Sequence, residues 1–244
     1  MAEISQGEQP TKLSPEELEK ELERQRLESE WLNPLANSRE LIQLLETNNK
    51  SNDRKLRLFA VACSRQAYEL DPRKRSQQST RQIETAELFA DGNASVEELN
   101  TQFYYHGLTI AYQLTNPIIG VGAREAGGSA AGIMARFNNK DGYKLLEEFD
   151  QELVKQSVLM REVFGNPFAK KGEKPKIEPD WLTWNSGAVP LLAQAIYDEK
   201  EFGKMPVLWD ALEEAGCTNE EILKHCRQKE HVRGCWVIDL ILGR

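Results

Sequence analysis

Along most of this chain apolar residues recur every three or four positions, the period of a helix that buries one face. Leu56, Phe59, Ala60, Cys63, Ala67 and Leu70 fall on one side of a helix predicted over Asp53 to Leu70. Leu145, Leu146, Phe149, Leu153, Val158, Leu159 and Val163 make a second stripe, in a helix from about Gly142 to Phe164. Shorter helices are predicted over Ser38–Thr47, Arg73–Ala90, Ser186–Asp198, Pro206–Ala215, Thr218–Arg227 and His231–Leu242. No run alternates apolar and polar residues well enough to demand a strand. The pattern predicts an all-α chain, an irregular multi-helix bundle.

Start and stop signals sharpen these limits. Ser14-Pro15-Glu16-Glu17 reads as a capping box with proline at the first helical position, opening an acidic helix to about Trp31. Ser95-Val96-Glu97-Glu98 opens another, reaching about Thr115, and Thr218-Asn219-Glu220-Glu221 a third. Asn33-Pro34, Asp71-Pro72, Asp91-Gly92-Asn93, Asn116-Pro117 and Gly165-Asn166-Pro167 are breaks. Ala169 to Pro179, rich in lysine and proline and poor in apolar residues, reads as a linker. The expected organisation is a disordered tail over 1–13, an N-terminal helical domain over 14–168, a linker over 169–179 and a C-terminal helical subdomain over 180–244.

Composition narrows the classes. A hydrophobic share of 40% with 29% charged residues is that of a globular protein. The net charge of −8 argues against a general nucleic-acid binder, which needs concentrated positive charge. No apolar stretch approaches the ~20 residues of a membrane helix. The polar first residues lack the apolar core of a signal peptide. The expected setting is therefore the cytoplasm, with the cysteines reduced.

The candidate chemistry lies near the C-terminus. Cys217, Cys226, His231 and Cys235 are the candidate metal ligands, zinc being the ion that thiolate and imidazole suit. His231 and Cys235 are four apart on a predicted helix and so share a face. His225 and Cys226 are adjacent, about 100° apart around a helix axis, so only one of them suits a common ion. The ligand spacing is irregular for structural zinc. The competing reading makes Cys226 and Cys235 small core residues and the histidines hydrogen-bonded. A reactive thiol beside Arg227, Arg233 or His231 is a third reading.

Other features read more plainly. Gly120 to Gly132 has neither a dinucleotide nor a phosphate-loop signature, and fits close helix approach or a flexible loop. The basic band Arg54, Lys55, Arg57, Arg65, Arg73, Lys74, Arg75 and Arg81 is expected to pair with the acidic helix Glu16–Glu30. Neighbouring glutamates such as Glu147-Glu148 and Glu213-Glu214 read as helix-surface charges, and Trp181, Trp184, Trp209 and Trp236 as core.

Phe164-Gly165-Asn166-Pro167-Phe168, Ala195-Ile196-Tyr197-Asp198-Glu199, Met205-Pro206-Val207-Leu208, His225-Cys226-Arg227 and His231-Val232-Arg233-Gly234-Cys235-Trp236-Val237 form ordered blocks. With them the C-terminal third resembles an uncharacterised family of bacterial helical domains without an established activity. The resemblance implies a binding or scaffolding role. The expected function is a non-catalytic interaction or regulatory module of a bacterial cytoplasm, with a protein partner. Its rival is a metal- or thiol-dependent enzyme centred on Cys226, His231 and Cys235.

Overall fold

The computed structural model describes residues 14–70, 77–104, 119–138 and 145–244. Among them are eleven α-helices and no strand. The expected tail, the start of the helix at Arg73, its neighbour's end near Thr115 and the start at Gly142 lie outside the described residues. The helices are α1 (Pro15–Leu32), α2 (Ser38–Thr47), α3 (Asp53–Leu70), α4 (Gln77–Ala90), α5 (Val96–Tyr104) and α6 (Ile119–Asn138). They continue with α7 (Leu145–Phe164), α8 (Pro179–Glu199), α9 (Met205–Glu214), α10 (Glu220–Cys226) and α11 (Trp236–Leu242).

Caps set the helix starts. The Ser14 backbone N–H donates to Glu17 Oε2 at 2.8 Å and Ser14 Oγ accepts from the Glu17 N–H at 3.3 Å, closing the box. Ser95 and Glu98 repeat it before α5. The third expected box does not form: Asn219, not Thr218, caps α10 by accepting the Ile222 N–H at 3.1 Å, and Ile222 at N3 has no side-chain acceptor to return the bond. An amide side chain at that position takes the part expected of the hydroxyl.

Two apolar clusters form the cores. The first joins Trp31 and Leu41 of α1 and α2, the buried face of α3 including Phe59 and Cys63, Ile83 of α4, Ala123, Ala126 and Ala130 of α6, and Met160 and Val163 of α7. The second is built by Trp181, Tyr197, Met205, Leu208, Ile222, Cys226, Cys235 and Ile238 from α8 to α11. The glycine-rich segment is part of α6, packed on α3 and α7. A Cβ on Gly127 would stand 3.0 Å from Gln156 Oε1 and 3.7 Å from Phe59, so the missing side chain lets these helices close.

Two expectations are amended locally. The helix expected over Ser186–Asp198 is the second arm of α8, and a first arm precedes it from Pro179, because Pro179 suits a first helical position and Trp181 is buried. The break between them is at Trp184–Gly187, where Asn185, Ser186 and Gly187 have φ of 46°, 59° and 82°. Pro190 is tolerated because it falls in the first turn after that break. Second, the ion pairs of the α1 glutamates run within the helix and do not reach Arg54 or Arg65 of the basic band. Glutamates of α1 pair within their own helix, Glu16 with Lys20, Glu21 and Glu28 with Arg24, Glu23 and Glu30 with Arg26. Arg54 and Arg65 instead reach acidic residues distant in sequence, and Lys55 Nζ donates to the Val163 carbonyl at 2.9 Å. Arg73, Lys74 and Arg75 of the band lie outside the described residues.

The cores meet across polar groups. Arg54 of α3 forks onto Asp239 of α11 at 2.6 and 3.0 Å. Asp91, after α4, accepts from the Tyr197 hydroxyl at 2.6 Å and from Arg233 at 3.0 and 2.6 Å. The Tyr197 ring lies under Arg233 and Arg244 at 4.2 and 4.3 Å. Gly234 makes the close approach possible: φ is 93° and a Cβ would lie 2.9 Å from Leu58 Cδ1.

Candidate metal centre

The residues from Arg227 to Cys235 connect α10 to α11 as a turn, not as the expected helix from His231. His231 and Cys235 therefore do not share a helix face. Gly234 holds a left-handed φ of 93° and the Cys235 N–H returns to the Val232 carbonyl at 3.0 Å. The turn brings the pair together by another route: Cys235 Sγ lies 4.0 Å from His231 Nδ1.

Two side chains join them that spacing did not select. Glu162 comes from the last turn of α7, where it sits beside buried Val163 and three residues after buried Leu159. His225 comes from the last turn of α10, on the face that also buries Ile222. Ligand-type atoms of Glu162, His225, His231 and Cys235 all lie within 4.8 Å of one another. His231 Nδ1 is 3.0 Å from Glu162 Oε1, His225 Nε2 is 3.2 Å from Glu162 Oε2, and His225 Nε2 is 3.1 Å from Cys235 Sγ. All four side chains are buried, the most exposed, His225, at 7%.

The other two candidates stand apart. Cys217 and Cys226 are buried in the second apolar cluster and do not belong to this group. The adjacent-residue argument from the sequence is satisfied the other way round: His225 turns to the site and Cys226 to the core.

Second contacts fix the rings. His231 Nε2 faces the Gln228 carbonyl at 3.1 Å, which only accepts, so Nε2 carries the hydrogen and Nδ1 meets Glu162. The Trp236 indole N–H, which only donates, points at His225 Nδ1 at 3.0 Å. His225 Nδ1 is thus an acceptor. Glu162 Oε2 is buried without an aligned hydrogen bond.

Electrostatics follow from burial. Desolvation works against the Glu162 charge, but contacts from His225 and His231 outweigh it and hold the carboxyl below its usual range. Burial pushes the Cys235 thiol well up, and the Glu162 carboxylate adds to this against the Ile238 and Val237 N–H groups. Burial likewise pushes Cys226 up to about 12 and raises Cys217. These are poor nucleophiles as free thiols.

Space flanks the cluster on both sides. His231 borders an open hollow of about 520 Å³ together with Arg65, Glu87, Lys200 and Arg233. Glu162, His225 and Trp236 border another of about 310 Å³. Imidazole nitrogen, sulfur and carboxylate oxygen form a borderline-soft donor set, suited to zinc more than to magnesium or calcium. The spacings are near those of ligands around one ion with bonds of about 2.0–2.3 Å. Glu162 Oε2, without an aligned hydrogen bond, offers a lone pair that such an ion would satisfy.

Comparison with protein-family models, with curated proteins and with solved structures finds no match to this chain. No helix among the described residues is long and apolar enough to cross a membrane.

Proposed function

We propose that this protein is a helical interaction module whose two cores are fastened by a divalent transition metal, zinc in the first instance. The observation that carries this reading is the grouping of Glu162, His225, His231 and Cys235 from α7, α10 and the turn before α11. Glu162 belongs to the helix that closes the first core, whereas the other three belong to the C-terminal block. An ion held among them ties one core to the other. Binding of this kind favours the folded chain by mass action, about 2.7 kcal/mol at a hundredfold excess over Kd.

Work by contact, not by thiol chemistry, is supported by the buried cysteines and the upward shifts at Cys226 and Cys235. The contact surface we assign to a protein partner includes α1, which exposes Leu18 and Leu22 among internally paired charges. A bacterial cytoplasm suits four free cysteines.

The test is metal content and metal-linked stability. Chelator-treated full-length protein should take up one zinc per chain and melt several degrees higher with it. Cys235→Ser and His231→Gln should abolish both effects. Absence of stoichiometric uptake by the wild-type chain at micromolar zinc would sink the proposal.

A further inference from the structure

We infer that His225 stands beside the ion as a hydrogen-bond donor, leaving Glu162, His231 and Cys235 as its protein ligands and one coordination place for water or a small anion. This inference rests on the metal reading above and adds the ligand count.

The argument is a count of hydrogens. A neutral histidine that binds metal through one nitrogen carries its hydrogen on the other. His231 is prepared for this: Nε2 donates to the Gln228 carbonyl at 3.1 Å, and Nδ1 faces the Glu162 carboxylate at 3.0 Å, where an ion bound by both would take the place of a shared hydrogen. A ligand imidazole anchored through its second nitrogen to a carbonyl is the usual supporting arrangement. His225 is prepared for the opposite role. If it bound an ion through Nε2, its Nδ1 would carry hydrogen and confront the Trp236 N–H across 3.0 Å, donor against donor.

Neither ring escapes easily. Turning His225 over would place carbon where the Trp236 donor and the Cys235 sulfur now find nitrogen. Trp236 is pinned against the end of α7: a Cβ on Gly165 would lie 3.2 Å from its Cγ and 3.3 Å from its Cδ2. Gly165 has a φ of 62° and so gives that indole its seat. With Nδ1 occupied, His225 Nε2 carries the hydrogen and directs it at Cys235 Sγ, 3.1 Å away, with Glu162 Oε2 at 3.2 Å.

Chemically this is coherent. A thiolate and a carboxylate balance a dication, so a three-ligand set with neutral His231 leaves no net charge buried. A hydrogen bond from His225 then steadies the thiolate without adding charge. Three protein ligands leave a fourth tetrahedral place, as in sites that exchange a small ligand. The hollow of about 310 Å³ bordered by Glu162 and His225 gives water or a small anion a way in.

Cobalt(II) is the probe, because its visible and near-ultraviolet bands report ligand number and thiolate bonding. Wild-type full-length protein should bind one cobalt with a thiolate-to-metal band, and azide should shift its visible bands. His225→Gln, which keeps a side-chain donor, should retain that stoichiometry and band, with affinity lowered no more than about 10–100-fold. His231→Gln should lose the ion and Cys235→Ser the thiolate band. Loss of cobalt from His225→Gln as complete as from His231→Gln would overturn the inference, as would a wild-type spectrum indifferent to azide. A wild-type chain that binds no cobalt and no zinc refutes the underlying metal reading instead.

Discussion

The substitution Asp91→Asn tests the junction between the cores. The carboxylate is 1% exposed and gathers the Tyr197 hydroxyl, two donors of Arg233 and the Arg54 guanidinium, with Arg244 at 3.6 Å. The amide would keep the shape but lose the charge, and its NH2 group would turn a donor toward donors. Removing one partner of a buried pair costs about 3–5 kcal/mol. Arg54 keeps its fork on Asp239, and the Arg54 and Arg233 side chains retain 19% and 13% exposure, so solvent recovers part of that. The expected loss at pH 7 is about 2–4 kcal/mol, a sizeable part of the roughly 5–15 kcal/mol that holds a domain folded. Desolvation raises the Asp91 pKa, but Tyr197 and Arg233 outweigh it and hold the folded value below the usual one. The stabilising contribution is therefore complete above the unfolded pKa of about 4 and fades as pH falls through the folded one. Urea unfolding of both proteins from pH 7 to pH 3 should show a gap that narrows on acidification. A gap under about 1 kcal/mol at pH 7, or one that does not narrow, would refute the reasoning.

Two further outcomes are expected. Gly234→Ala should cost about 2–4 kcal/mol, combining left-handed backbone with overpacking of Leu58. Gly216→Ala, also at positive φ but with nothing within 4 Å of its Cβ, should cost visibly less; equal losses in urea melts would show that the Leu58 contact does not matter. A thiol reagent should label none of Cys63, Cys217, Cys226 and Cys235 in the native protein and all of them after unfolding, since all are buried. Rapid labelling of one in the native state would revive thiol chemistry.

The helices were legible because periodicity and caps are local. Ser14 and Glu17, or the stripe from Leu56 to Ala67, need only their neighbours to declare themselves, whereas Leu70, expected on the same stripe, is exposed. The site was half legible for the same reason. Cys235 and His231 drew notice as residue types, but the helix that was to align them depended on Gly234 being helical. Its place against Leu58, a contact between residues far apart in sequence, demands a conformation the local pattern could not reveal. Neither residue type nor spacing singled out Glu162. Its only signal was position: a carboxylate three residues after Leu159 and next to Val163, on the edge of an apolar stripe, must find partners or go uncharged. Arg54 and Arg65 pair elsewhere than expected because Glu21, Glu23, Glu28 and Glu30 of α1 find i+3 and i+4 partners within their own helix.

The polarity of the junction itself needs a cause. Buried ion pairs stabilise no better than well-packed apolar residues of similar volume, so stability alone does not account for Arg54, Asp91, Arg233 and Asp239 between the cores. Direction does. Apolar surfaces tolerate sliding, whereas a fork of two hydrogen bonds from Arg54 to Asp239 is satisfied in one orientation only. A metal held as proposed among Glu162, His231 and Cys235 would add a second such point on the α7 side. Two separated points that each fix direction leave the C-terminal block no axis about which to turn. Loosening either, by acid at Asp91 or by chelation of an ion bound as proposed, would leave the C-terminal block oriented by the other alone while both apolar cores stay packed. The partial unfolding expected first is therefore separation of intact cores, with Trp236 leaving its seat on Gly165 before helix content falls.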